Sequence, residues 1–206
     1  MSDIKSNKVL WTEGKNDECY TPFYAIDAIL ERVKSLSQNF NIVGYSLDII
    51  DNKPIPARNL IVWCPFDTKD SEFVKRISTL ENVTVIHSHI EDGKDFYTYE
   101  PDKWDIIVSN PPFTNKRKIF ERALSFGKPF ALLMSLTWLN DKAPKTIFGN
   151  DLQLSMFDNR LLFLNPSGEV NTKITFASAF FGYKFFSKDI SINKIPTVSE
   201  QKRILS

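Results

Sequence analysis

Short, uniformly apolar runs separated by segments with helical periodicity constrain the fold of this chain more than any other feature. The runs show no alternation of apolar and polar residues, which is typical of strands buried on both faces of a sheet. Four such runs are predicted to be strands, at 59–63, 83–87, 104–109 and 130–135. Segments with helical spacing lie before or between them, at 22–36, 70–80 and 116–126. The pattern predicts parallel βαβ units and an α/β, three-layered fold with ligands bound at the carboxyl ends of the strands.

The last third of the chain predicts a change in strand direction. Strands are expected at 156–164, 173–180 and 183–187, with a tight turn at Gly182 joining the last two. This hairpin would place an antiparallel strand at one edge of an otherwise parallel sheet. Loops are predicted at 51–58 and 140–151, the second long enough to cover a substrate. The polar segment from Asn193 onward is predicted to be loosely packed.

The composition is that of one ordinary globular domain. Of the 206 residues, 42% are hydrophobic and 25% charged, so we expect a single domain with its core over 15–190 and a tail over 191–206. No apolar run approaches the roughly 20 residues that span a bilayer, and the N-terminal residues lack an apolar signal segment. Two cysteines, Cys19 and Cys64, are too few for a disulfide framework. A reducing, cytoplasmic location is therefore predicted.

Glycine usage and charge narrow the function. With seven glycines, no GxxxxGK[ST] and no GxGxxG, the chain is unlike P-loop hydrolases and ordinary dinucleotide dehydrogenases. Residues 1–100 contain 11 basic and 16 acidic side chains, whereas residues 101–206 contain 15 and 9. The basic run Lys116, Arg117 and Lys118 fits either a polyanion-binding surface or a solvated helix face.

The most informative segment is the tetrapeptide that follows the predicted strand 104–109. Asn110 offers an amide oxygen as a hydrogen-bond acceptor. Pro111 and Pro112 stiffen the backbone, and the missing N–H groups leave the Pro111 carbonyl without a local donor. Phe113 offers a flat aromatic face. Two acceptors beside an aromatic plane suit an exocyclic amino group on a planar ring, whose nitrogen can then attack an electrophilic methyl carbon.

This tetrapeptide resembles motif IV, [DNS]PP[YFW], of the S-adenosylmethionine-dependent amino-methyltransferases. The segment Glu18-Cys-Tyr-Thr-Pro22 before a helix resembles motif X of the phage-type adenine N6-methyltransferases, which implies that Tyr20 and Thr21 touch the cofactor. A helix start with an N-cap and an aromatic staple explains the same residues without a ligand. The resemblance implies a class I methyltransferase-like, Rossmann-like fold, and it covers residues 17–136.

The same resemblance assigns further cofactor contacts. Pro65 and Phe66 match the Pro-Phe of the family's DPFxGxG loop, but residues 67–71 stand where the glycines would be, as in a subgroup of phage-borne proteins. His87 ends the second strand, where the family often has an acidic ribose ligand, and Gly93-Lys-Asp-Phe96 resembles motif III, which binds the adenine. The residues assigned to the cofactor in this way are Pro65, Phe66, Asp67, Ser71, His87, Asp95 and Phe96.

The function implied is methyl transfer from S-adenosylmethionine to the N6 amine of adenine in DNA. Lys116, Arg117 and Trp138 are the expected nucleic-acid contacts. Trp138 and Phe148 fit either platforms on which unpaired bases stack or residues of the core. No separate target-recognition domain is expected. Two alternatives stay open: the same chemistry on RNA, and a non-catalytic binding module that keeps the fold, which the missing glycines favour. A metal at His87 and His89 is not expected, because two histidines two residues apart at a strand end are a weak signal for a metal site. Cys64 is expected to be a packing residue.

Overall fold

The computed structural model describes residues 20–43, 58–165, 167–172 and 174–206, and its centre is one twisted sheet of seven strands. The strands are β1 (Leu60–Cys64), β2 (Val83–His87), β3 (Ile106–Ser109), β4 (Phe130–Ser135), β5 (Gln153–Phe157), β6 (Ser178–Tyr183) and β7 (Ile190–Asn193). The α-helices are α1 (Phe23–Val43), α2 (Glu72–Ile77), α3 (Lys116–Ser125), α4 (Lys142–Phe148) and α5 (Val198–Ile204), with short 3-10 turns at Ile90–Asp92 and Leu136–Asn140. None of the described helices is long and apolar enough to cross a membrane.

The strand order is β2-β1-β3-β4-β6-β5-β7. Strands β2, β1, β3 and β4 are parallel neighbours, with Val62 opposite Ile106 and Ile107 opposite Phe130. Strand β6 runs antiparallel to both of its neighbours, β4 and β5, while β7 pairs in parallel with β5. The prediction of an α/β fold with a mostly parallel sheet is confirmed. The antiparallel strand is internal, however, rather than at the edge of the sheet.

The sheet is covered on both faces because successive strand residues point to opposite sides. Val62 and Cys64 pack into a core with α1 and α2, whereas Trp63, between them, packs into a second core with α3 and α4. Strands β3 and β4 are buried along their whole length. Their uninterrupted apolar sequences are therefore explained by burial on two sides.

Four predictions about the last third are wrong. Residues 140–151 are not a loop, since they contain α4, which tolerates Pro144 because the residue lies in the first turn. Gly182 does not form a turn but lies within β6, where an added Cβ would come within 2.7 Å of the Phe186 ring. The strand expected at 156–164 ends at Phe157, and the final strand begins at Ile190 instead of residue 183.

The C-terminal segment is packed rather than frayed. It contains β7 and α5, and α5 begins with a capping box in which Thr197 and Glu200 exchange side-chain to backbone hydrogen bonds. Gln201 is fully buried and Ile195 nearly so. Residues 51–57 of the loop expected at 51–58 lie outside the described residues. Cys19 and residues 15–19 of the expected core lie outside them as well.

Candidate functional site

A cleft of about 590 Å³ opens at the carboxyl ends of β1 and β3. Its volume is in the range of small-molecule and cofactor sites. Four segments contribute most of its walls, 20–23, 65–73, 89–97 and 110–119, and Leu164, Asn165 and Gly168 add to them. The cleft therefore lies at the sheet edge where parallel α/β folds bind ligands.

The cleft brings together eleven of the sixteen residues that the sequence singled out. These are Tyr20, Thr21, Pro65, Phe66, Asp67, Ser71, Asp95, Phe96, Asn110, Pro111 and Pro112. The other five, Phe113, His87, Lys116, Arg117 and Trp138, do not line it. Residues as far apart in the sequence as Tyr20 and Pro112 thus share one cavity.

Asn110 and Pro111 directly follow β3 and project from its carboxyl end. Pro111 is buried and Asn110 half-buried, and the side-chain oxygen Oδ1 of Asn110 is itself buried. Phe113 turns away from the cleft lining. Its ring lies 5.3 Å from that of Phe176 and 6.3 Å from that of Phe163, centroid to centroid. The aromatic plane that the sequence assigned to a ligand is thus packed within the protein.

Asp67 forms the centre of a buried hydrogen-bond network. Its carboxylate accepts one hydrogen bond from the hydroxyl of Ser71 and another from the hydroxyl of Ser109, one on each oxygen. Burial raises the pKa of Asp67 to about 6, although both serine hydrogen bonds act in the opposite direction. Ser71 also caps α2, accepting from the backbone N–H of Phe73 at 3.2 Å. Asp67 and Ser71 are therefore bound to each other and to the fold within the cleft wall.

The segment before α1 forms the opposite wall. Tyr20 and Leu164 exchange two backbone hydrogen bonds, 2.9 and 3.0 Å long, in an antiparallel bridge. Thr21 is 6% exposed and lines the cleft. Its hydroxyl makes no hydrogen bond within the described part of the chain. A buried hydroxyl without a hydrogen-bond partner costs free energy, unless a ligand or a water molecule forms that bond.

Phe66 and the segment that follows β2 in the sequence form an aromatic and acidic part of the cleft wall. The rings of Phe66 and Phe96 are 4.7 Å apart and both line the cleft. Asp95 is held in a turn, with its Oδ1 accepting from the backbone N–H of Tyr97 at 2.9 Å. Burial and the neighbouring Asp95 raise the pKa of Tyr97 to about 12. The turn thus brings the Asp95 carboxylate and the rings of Phe96 and Tyr97 to one cavity.

Sequence reasoning missed an acid in this wall. Glu91 and His89 line the cleft from the 3-10 turn that follows β2, and His89 caps that turn by accepting from the backbone N–H of Glu91 at 3.4 Å. His87, which was expected in the site, lies on β2 opposite Cys64 and does not line the cleft. The signal was available, because an acid four residues beyond a strand end can return to the cleft through a short turn.

Trp138 and Phe148 are core residues, so the prediction that they stack on bases is wrong. Trp138 is 1% exposed, and its ring lies 4.6 Å from Phe120 and 5.5 Å from Phe181. Phe148 is 3% exposed and packs against the same Phe120. Both side chains fill the layer between α3, α4 and the sheet, where no base can reach them.

The basic residues of α3 lie beside the cleft rather than in it. Asn115 and Ile119 of this region line the cavity. Lys116 has its Nζ 3.9 Å from Asp141, and Arg117 pairs with Glu121 at 2.8 Å. These exposed pairs are weak, so both cations remain compatible with binding a polyanion.

Cys64 is buried at the end of β1. Burial and the neighbouring Asp67 raise the pKa of its thiol well above the ordinary value. A thiol in this state is a packing group rather than a nucleophile. Among the described residues, no three His, Cys, Asp or Glu side chains come together as metal ligands.

No protein-family model matches this chain, and no curated protein matches its sequence.

Proposed function

We propose that this chain is an S-adenosylmethionine-dependent methyltransferase, of class I-like fold, that acts on the N6 amine of adenine in DNA. The observation that supports the proposal most is the convergence on one cleft. Asn110 and Pro111 lie there beside the segments that the sequence associates with the cofactor, namely 20–21, 65–71 and 95–96. A rigid double-proline turn with only a structural role would not need to share a cavity with those segments.

In this proposal Asn110 and Pro111 hold the amine. The Asn110 Oδ1 atom and the Pro111 carbonyl oxygen each accept one N–H of an exocyclic amino group, which directs the nitrogen lone pair out of the ring plane. Because both acceptors are neutral, the proton that the amine loses passes to water. Preorganised acceptors of this kind typically contribute a factor of about 10²–10³ to turnover.

The remaining walls fit the cofactor by their chemistry. The Phe66 and Phe96 rings suit its planar adenine, and Asp95 suits the adenine amino group. Glu91 suits the ribose hydroxyls, and the unsatisfied hydroxyl of Thr21 suits the amino-acid end. When bound, S-adenosylmethionine supplies an electrophilic methyl group on a sulfonium centre. A cytoplasmic location remains a prediction from the cysteine content.

A second candidate is a binding module that keeps the fold without catalysis. Three observations favour it. The loop after β1 lacks glycines, and Asp67 and Ser71 bind each other and the fold. Phe113, which would stack on a target base, packs against Phe163 and Phe176. Such a module would use the cleft only to hold a planar ligand.

Two measurements separate these candidates. Calorimetry with S-adenosylmethionine is expected to show binding to the wild type and to Asn110→Ala. A tritiated-methyl assay with DNA and RNA side by side is expected to label adenine in DNA with the wild type alone. Cofactor binding without any methyl transfer would favour the module, labelling of RNA alone would reassign the substrate, and the absence of cofactor binding would refute the methyltransferase proposal.

A further inference from the structure

The loop after β1 and the end of β3 are joined by side chains where their backbone ladder stops. Strands β1 and β3 pair at Val62 with Ile106 and at Trp63 with Ile107. Among the described residues the pairing of β1 with β3 ends here, and the residues that follow each strand line the cleft. Ser109 is the last residue of β3, is fully buried, and directly precedes Asn110.

The hydroxyl of Ser109 links the end of β3 to the loop after β1. It donates to Oδ2 of Asp67 and accepts from the backbone N–H of Phe66 at 3.3 Å. A serine hydroxyl has one proton to donate, and here that proton is used by Asp67. Ser109 therefore acts as a link between the loop that contains Pro65 and Phe66 and the strand end that presents Asn110.

Asp67 extends the link to the next element. Its second oxygen accepts from Ser71, whose side chain also caps α2. Asp67 is 6% exposed, and hydrogen bonds to a carboxylate are stronger than those between neutral groups. The start of α2, the loop after β1 and the end of β3 are thus connected through one carboxylate.

We propose that Ser109 and Asp67 are a positioning pair that sets the place of Asn110 relative to the loop at Pro65 and Phe66. The inference rests on the proposed function, in which that loop holds the cofactor and Asn110 holds the amine. Neither member of the pair touches the reacting atoms. Because a misplacement of about 1 Å can cost about a hundredfold in rate, the pair acts on turnover more than on cofactor affinity.

The chain offers a matched control for removing the Ser109 hydroxyl. Ser135 also ends a parallel strand, β4, and is 5% exposed. Within the described ranges its hydroxyl bonds only locally, to the backbone N–H and the hydroxyl of Thr137 at 3.2 and 2.7 Å, and it does not line the cleft. Ser135→Ala therefore removes a buried strand-end hydroxyl without breaking the link.

The kinetic test compares Ser109→Ala, Asp67→Asn, the double variant and Ser135→Ala. We expect kcat for methyl transfer to fall at least about tenfold in each single variant, with the KM for S-adenosylmethionine changed less than about threefold. The double variant should lose no more than the worse single variant, because Ser109→Ala removes the same hydrogen bond that Asp67→Asn weakens by taking away the charge. Full kcat in Ser109→Ala, a loss confined to the KM, or independent losses that multiply would overturn the pair.

A second readout needs no activity and therefore separates this inference from the proposed function. In ¹⁵N-labelled protein, the side-chain amide resonances of Asn110 should shift in Ser109→Ala and in Asp67→Asn, and stay unchanged in Ser135→Ala. A wild type without methyl transfer would refute the proposed function while this spectrum still tests the link. Unchanged Asn110 resonances in both pair variants would refute the link itself. If Ser109→Ala does not fold, Asp67→Asn keeps the side-chain shape and gives the answer alone.

Discussion

The hydroxyl of Tyr24, in the first turn of α1, donates a 2.8 Å hydrogen bond to Oε1 of Gln201 in the C-terminal helix, 177 residues away. The same oxygen accepts from the backbone N–H of Leu162 at 2.9 Å. The amide nitrogen of Gln201 donates to the carbonyls of Arg160 and Pro196 at 3.0 and 2.7 Å. Every hydrogen-bonding position of this buried amide is thus filled. The C-terminal helix thereby ties α1 to the segment whose Leu164 holds Tyr20 at the cleft.

Replacing Gln201 by leucine should destabilise the protein by about 2–4 kcal/mol, because the Tyr24 hydroxyl and the Leu162 N–H lose their buried partner. The free energy of unfolding would be measured by urea titration followed by circular dichroism. Gln38→Leu, an exposed position on α1, is the matched control and should change stability by no more than about 0.5 kcal/mol. Equal stability of the two variants would show that the amide of Gln201 is not a structural link.

Asp67→Asn should change how stability depends on pH. The pKa of Asp67 is raised from 3.8 to about 6 by folding. Between pH 3.8 and about 6 the folded state binds more protons at Asp67 than the unfolded state does. The wild type therefore loses stability as the pH rises through this range. Asparagine does not titrate. From pH 5 to pH 8 the stability of Asp67→Asn relative to wild type should therefore rise by about 1 kcal/mol. Parallel pH profiles of the two unfolding free energies would contradict the raised pKa.

Asn110→Ala should affect rate more than fold. The lost acceptor is expected to lower methyl transfer by about 10²–10³. The thermal midpoint should stay within about a few degrees of wild type, because Asn110 lies half-buried at a strand end outside the two cores. Near-full methyl transfer by Asn110→Ala would mean that the double-proline segment is a structural turn.

Phe113→Ala should affect fold as well as function. The ring packs on both cores and contacts Phe163 and Phe176. Its removal should lower the free energy of unfolding by about 1–3 kcal/mol, less than for a fully buried phenylalanine. Phe113→Tyr keeps the plane and should be mild. Thermal unfolding of both variants beside wild type checks this, and an unchanged midpoint in Phe113→Ala would show that the ring does not stabilise the fold.

Much of the parallel half of the sheet was predictable because its signals are local. Strands β2 and β4 begin and end where their apolar runs do, and β1 differs from its prediction by one residue. A strand buried on both faces must be apolar throughout, and this requirement is written in consecutive residues. The position of Asn110 after a strand follows in the same way. Since parallel strands end at one edge of the sheet, its approach to Phe66 was also predictable.

Features that depend on contacts between distant parts of the chain were not predictable from the local sequence pattern. Gly182 signals a turn by its type, yet it lies within β6, paired with Ala131 and Gln153, and the Phe186 ring occupies the space that a Cβ would fill. The sequence leaves Trp138 as either a stacking platform or a core residue, and only the packing of α3 and α4 shows that it is buried.

The sequence by itself determined the alternation of strands and helices and the place of the Asn110-Pro111-Pro112 segment at a strand end. Only the tertiary structure decided that β6 is inserted between β4 and β5, that Gln201 anchors the C-terminal helix, and that Asp67 bonds to Ser109. The physical reason is the range of the interactions. Apolar periodicity acts over a few neighbouring residues, whereas a buried polar group requires partners that the fold brings from anywhere in the chain.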